Sequence, residues 1–168
     1  MRGVPKTMRE KEMIRIQKIK LTDKITRVRV EYEKKRGLHW DEFTIHSAEQ
    51  PEPELLQALA GLADEVVKIC ELDEDDEKRV TVTGVAFSWS GQDQNMGASI
   101  IARKSLLGSK APLNLVTPHK VDKDEADELQ QLRPSTVRKL ESVINYALRF
   151  IDGKRAQQTI FDYQHVEK

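Results

Sequence analysis

The chain has 168 residues, one cysteine, and 28 acidic against 28 basic side chains. That length suits one domain with a substantial core. A single thiol excludes an internal disulfide, and no stretch approaches the ~18 consecutive apolar residues of a membrane helix.

The zero net charge hides an alternation of sign along the chain. Residues 1–36 carry 13 basic and 5 acidic side chains, residues 37–77 carry 1 and 13, residues 78–120 carry 6 and 1, and the remainder 8 and 9. Two arrangements account for this. Basic strands and an acidic helix lie side by side and neutralise each other, or a basic sheet face is left to meet an anion.

Residues 1–13 hold three methionines and no apolar periodicity, and are expected to be a flexible basic arm. No apolar stretch follows the basic residues, so the arm does not read as a signal peptide, and a cytoplasmic location is expected. From Ile14 the pattern is strand-like. Ile14 and Ile16 share one parity, and Ile19 and Leu21 share the other. Thr22-Asp23-Lys24 reads as a turn. Val28, Val30 and Tyr32 then alternate with Arg27, Arg29 and Glu31, the period of a half-buried strand. Lys34–Gly37 reads as a polar turn, and Trp40–His46 as a third strand with Phe43 and Ile45 on one face.

Pro51 and Pro53 open a helix whose first turn carries Glu52 and Glu54. Leu55, Leu59, Leu62, Val66 and Ile69 mark its apolar face, and Cys70 falls in the same pattern as a small buried residue. The acidic run Glu71–Glu77 lacks the central glycine and ligand spacing of a calcium loop and reads as a solvated connection. Val80–Trp89 and Gly97–Lys104 form a strand pair around a polar loop, and Leu113 and Leu115 a short further strand ended by Pro118. Asp122–Leu132 reads as a short helix or ordered loop. Ser135 is a candidate N-cap for a helix with Val137, Leu140, Ile144, Ala147 and Ile151 on one face, stopped by Gly153. The order predicts an α+β fold: an antiparallel sheet of about five to six strands with two main helices packed on one face, over residues 14–152. Residues 153–168 are predicted to be a flexible tail.

No catalytic constellation emerges. Phosphate-binding and dinucleotide loops are lacking, the four histidines have no metal-ligand spacing, and Asp41-Glu42 with Lys34 or Lys104 reads as surface residues and not as a nuclease cluster. Ser88 and Ser90 lack the glycines of a nucleophile elbow. The chain is expected not to be an enzyme and to need no metal or cofactor. Trp89, Gln92 and Asn95, in FSWSGQDQN, have the residue types that stack on a base and hydrogen-bond to it, but an ordinary hairpin with Trp89 in the core is the more natural reading. Arg27, Arg29, Arg103 and Lys104 are the cations of a possible nucleic-acid face, with single-stranded DNA or a nucleotide as ligand.

The tail reads KRAQQTIFDYQHVEK. Gln157, Ile160 and Phe161 fit Gln-x-x-(Leu/Ile)-Phe, which resembles the peptide by which replication and repair proteins bind the bacterial sliding clamp. Ile160 and Phe161 would be adjacent apolar anchors and Gln157 a hydrogen-bonding contact. Burying two such side chains yields roughly 3–6 kcal/mol before ordering costs, so the motif alone predicts an affinity nearer micromolar than nanomolar. The alternative is that Ile160 and Phe161 fold back as a last core strand.

Taken in order, VTGVAFSWSG, MGASIIARKSL, APLNLVTPHK and KRAQQTIFD are similar to a group of small proteins of tailed phages and prophages. The resemblance spans most of Ile14 to Asp162 and carries no established activity. It implies a strand-rich domain, a long C-terminal helix and a final R-A-Q-x-x-(Leu/Ile)-F, matched by Arg155, Ala156, Gln157, Ile160 and Phe161, with Ile160 where leucine is more usual. The function it implies is a non-enzymatic accessory protein in DNA replication or recombination within a bacterial host. The rival is a counter-defence protein, expected to be homo-oligomeric in the sequestering form, that removes a nucleotide signal or blocks a host protein.

Overall fold

The computed structural model describes residues 13–22, 27–123 and 127–156. Residues 1–12, 23–26, 124–126 and 157–168 lie outside the described residues, and with them most of the expected turn Thr22-Asp23-Lys24.

A single antiparallel sheet organises the domain. Its strands are β1 (Ile14–Thr22), β2 (Arg27–Arg36), β3 (His39–Ser47), β4 (Val80–Ser90), β5 (Asn95–Lys104), β6 (Leu113–Val116) and β7 (Lys120–Val121). The order is β3-β2-β1-β4-β5-β6, and β7 pairs with β5 beyond the end of β6. Two meanders, β1-β2-β3 and β4-β5-β6, thus meet along β1 and β4. The connection between them carries the helices α1 (Pro53–Ala60) and α2 (Ala63–Ile69); α3 (Pro134–Ile151) follows the sheet. No helix among the described residues is long and apolar enough to cross a membrane.

Two β-bulges explain the apolar pattern of the central strands. In β1 the register shifts between Ile16 and Lys18, so the extra residue Gln17 carries the inward face from Ile16 to Ile19 and Leu21. In β4 the shift at Thr83 does the same, passing the inward face from Val80 and Val82 to Val85 and Phe87. Each parity change would otherwise turn half the strand's apolar residues to solvent. Next to the second bulge β1 comes so close that a Cβ on Gly84 would collide with the Ile19 carbonyl oxygen.

The helices cover the inward face. Leu55, Leu59, Leu62 and Val66 are 0–1% exposed, as are Leu140, Val143, Ala147 and Phe150, against Ile19, Val30, Val85 and Ile100 of the sheet. The single helix predicted from Pro51 to Glu71 begins at Pro53, ends at Ile69 and breaks at Gly61-Leu62, yet its apolar spacing runs through the break. The buried stripe of α3 centres on Val143 and Phe150; the predicted Val137, Ile144 and Ile151 flank it half-buried. Arg149 clamps α3 to the start of α1 through two 2.8 Å bonds to Glu52.

Three local expectations are corrected. Lys34–Arg36 belong to β2, because a two-residue turn at Gly37-Leu38, with Gly37 at φ 61°, suffices to reverse the chain. The acidic run is not wholly solvated: Glu74–Arg79 form a 3-10 turn, and Asp76, 8% exposed, receives Arg79 at 3.3 Å and Lys104 at 3.2 Å. Ser135 is not the cap of α3. Arg133 holds that position and Pro134 begins the helix, as its fixed φ and missing N–H favour.

Candidate nucleic-acid interface

Alternation along the strands puts the polar residues of the sheet on the face away from the helices. That open face presents Arg15, Lys18 and Lys20 from β1, Arg27, Arg29 and Lys35 from β2, and Arg103 from β5, against the carboxylates Glu31, Glu33 and Glu42. The acidic stretch of α1, α2 and the 3-10 turn lies on the other side. The sheet therefore lies between this acidic stretch and the seven cations of the open face, while Lys34, Arg36 and Lys104 fall on the helix side.

The cations differ in how far they are engaged. Arg15 is held: it bonds Glu33 at 2.6 Å and Gln94 at 2.8 Å, and its guanidinium lies 3.5 Å over the Trp40 ring. Arg29 approaches Glu31 at 3.6 Å, a loose exposed pair. Arg27 donates to the Ser47 carbonyl at 3.5 Å. Lys18 and Lys20 have no carboxylate partner among the described residues. Across the strands Arg29 pairs with Lys20 and Lys20 with Gly84, while Glu31 pairs with Lys18 and Lys18 with Ala86. The long basic side chains of β1 and β2 thus border a low floor of Gly84, Ala86, Ser88, Gly97 and Ser99 on β4 and β5. At its far side His119 lies over Gly97, where a Cβ would strike the ring, and meets the Ser88 hydroxyl at 3.0 Å.

Not all of the predicted site residues come together. Arg27, Arg29 and Arg103 share the open face, with Arg27 and Arg103 toward the same end. Lys104 points the other way and is paired with Asp76. Trp89 is also on the helix side. It is half-buried, stacked on Phe87 at 6.3 Å, and its indole N–H donates to the Ile16 carbonyl beside the first bulge at 2.9 Å. Gln92 is exposed in the hairpin turn. Trp89 and Asn95 line a cleft of about 410 Å³ between the hairpin tip and α3, together with Asp93, Asp122 and Glu141 and no cation. Three carboxylates there oppose a phosphate-bearing nucleotide. Gln157, Ile160 and Phe161 lie outside the described residues. The part of the predicted tail that is described lies against the domain. Arg155 donates to the Phe150 carbonyl at 2.7 Å with its guanidinium 3.7 Å over the Phe150 ring, and the Ala156 N–H donates to the Gln50 carbonyl at 2.9 Å.

The sequence reading missed a buried carboxylate. Glu65 is 1% exposed and accepts from Thr136 at 2.5 Å. Lys139 donates to it at 3.3 Å and to both oxygens of Asp64 at 2.7 and 2.8 Å. Burial pushes the Glu65 carboxyl up, but the Thr136 and Lys139 hydrogen bonds and the Lys139 charge together hold it below its ordinary range. The group joins α2 to the first turn of α3, where the helix dipole also favours a negative charge. Its role is to dock the two helices. A sequence signal existed: Glu65 stands three residues after Leu62 and one before Val66, beside the apolar stripe.

Comparison with protein-family models, curated proteins and solved structures finds no match to the chain.

Proposed function

We propose that this chain is a non-enzymatic accessory protein of phage-type DNA replication or recombination. Its open sheet face holds single-stranded DNA, and its C-terminal motif recruits it to a bacterial sliding clamp. The observation that carries the DNA reading is the grouping of charge: among the described residues, the sheet face away from the helices carries seven cations against three carboxylates, beside a floor of small residues. A strand lying there meets long basic side chains that follow its backbone without selecting sequence. The rival reading, sequestration of a nucleotide at the Trp89 hairpin, is disfavoured by the carboxylates lining that cleft.

The test is single-stranded DNA binding by fluorescence anisotropy across a salt series. Engaging about four phosphates gives a slope of log K against log salt of about −3. The triple change Lys18→Glu, Lys20→Glu, Arg29→Glu is expected to weaken binding at least tenfold and to leave the melting temperature nearly unchanged. Absence of binding at low salt removes nucleic acid as a direct partner.

A further inference from the structure

A recess opens where the open face ends, between β5 and the 105–112 loop. It is about 240 Å³ and is lined by Thr81, Arg103, Ser105, Ser109 and Lys110 among others. Its charge is unlike that of the Trp89 cleft. Among the described residues two cations and three hydroxyls line it, with no carboxylate. Neither Arg103 nor Lys110 has an acidic partner among the described residues. Arg103 stands one residue from the end of β5 but is paired on both sides, opposite Thr81 and Asn114, and this fixes its base. The loop is fixed at its start by the Ser105 N–H, which donates to the Arg79 carbonyl at 2.9 Å, and further on by the Ala111 N–H, which donates to Ser109 at 3.2 Å. The recess is smaller than the ~300–1,000 Å³ of ordinary ligand pockets, so it admits a phosphate and the sugar beside it and not a whole nucleotide.

We propose that this recess takes a terminal phosphate monoester, the end of a single DNA strand lying on the open face. A terminal monoester carries a charge approaching −2 above its second pKa of about 6. An internal diester carries −1. The two cations of the recess match the first, and Arg103 supplies the paired donors suited to phosphate oxygens. The position agrees, because Arg27 and Arg103 stand toward the same end of the face, three strands apart. This places the strand's end at the recess and its chain along β1 and β2, and in that respect it rests on the reading of the open face given above.

The experiment compares one oligonucleotide sequence with a 5′-phosphate, a 3′-phosphate or no terminal phosphate. A second arm titrates ribose 5-phosphate, with ribose as control, and follows the amide resonances of Ser105, Ser109 and Lys110. One phosphorylated end is expected to bind about tenfold tighter than the unphosphorylated strand, the scale of one charge-assisted contact. That gain is expected to fade as pH drops below ~6 and to vanish in Lys110→Ala. Ribose 5-phosphate, and not ribose, should move the three resonances. Equal affinity of all three strands, with resonances unmoved by ribose 5-phosphate, overturns the recess as a phosphate site and leaves the open-face reading standing. Shifted resonances without any strand binding retain a phosphate site and overturn its connection to DNA.

Discussion

Replacing Glu65 by alanine tests how the helix layer is assembled. The carboxylate is 1% exposed and its partner Thr136 is 0% exposed, so water does not replace the lost contact. The Thr136 hydroxyl loses a hydrogen bond to a charged group, worth about 1.5–3 kcal/mol. The Lys139 contact adds less, because Lys139 is 35% exposed and keeps Asp64. A total near 3 kcal/mol follows, and at about 2–4 °C per kcal/mol for a chain of this size the melting temperature falls by about 6–12 °C. Glu65→Gln preserves shape and an acceptor for Thr136 and is expected to cost about 1 kcal/mol. The pH dependence has a definite sign. Glu65 is held below its ordinary value of 4.5 in the folded protein, so its contribution is complete above that pH and is lost as pH falls through the lowered folded value. The stability gap between wild type and Glu65→Gln, read by urea unfolding, is therefore expected to be constant from pH 7 to pH 5 and to close under more acid conditions. Asp64 is depressed as well: burial raises it, and Lys139 more than offsets that. The single variants therefore separate the two. An alanine variant that unfolds at the wild-type midpoint refutes the carboxylate as the joint between α2 and α3.

Two further predictions concern backbone and tail. Gly84→Ala forces a Cβ against the Ile19 carbonyl where β1 and β4 pair. Because neither central strand can yield, a loss of about 2–3 kcal/mol or more in chemical denaturation is expected; a smaller loss shows that the bulge relaxes. Changing Ile160 and Phe161 together to alanine is expected to abolish sliding-clamp binding in surface plasmon resonance and to leave the melting temperature within a degree. A stability loss above ~2 kcal/mol places the pair in the core instead.

Most of the fold was legible because period two and period 3.6 report which residues face a common core, whatever the order of strands. Val28, Val30 and Tyr32 on β2, and Leu55 to Val66 on the helices, are buried as their spacing implies. What was not legible depended on partners distant in sequence. The parity change between Ile16 and Ile19 is visible in the strand-like pattern but its cause, a bulge, is not, because an extra residue shows only when the neighbouring strand is present. Lys120–Val121 pairs with Gly97-Ala98 but is too short to carry a period. For the candidate site, the sequence supplied the basic residues but not their side. Arg103 and Lys104 are neighbours in the chain and lie on opposite faces of the sheet. Lys110 and the serines near it carry no signal of their own in the sequence, since only the fold sets them beside Arg103.

The separation of charge across the sheet also governs how the molecule meets its own kind. Among the described residues the field has an acidic pole at α1, α2 and the 3-10 turn and a basic pole at the open sheet face, although the totals of the two charges are equal. At 0.01 M ionic strength the screening length is about 30 Å, comparable to a small domain, so the acidic layer of one molecule attracts the basic face of the next. Added salt shortens that reach to about 8 Å at 0.15 M and releases them. A domain of balanced charge thus meets charged surfaces in two ways, as an acid at α1, α2 and the 3-10 turn and as a base at the open sheet face.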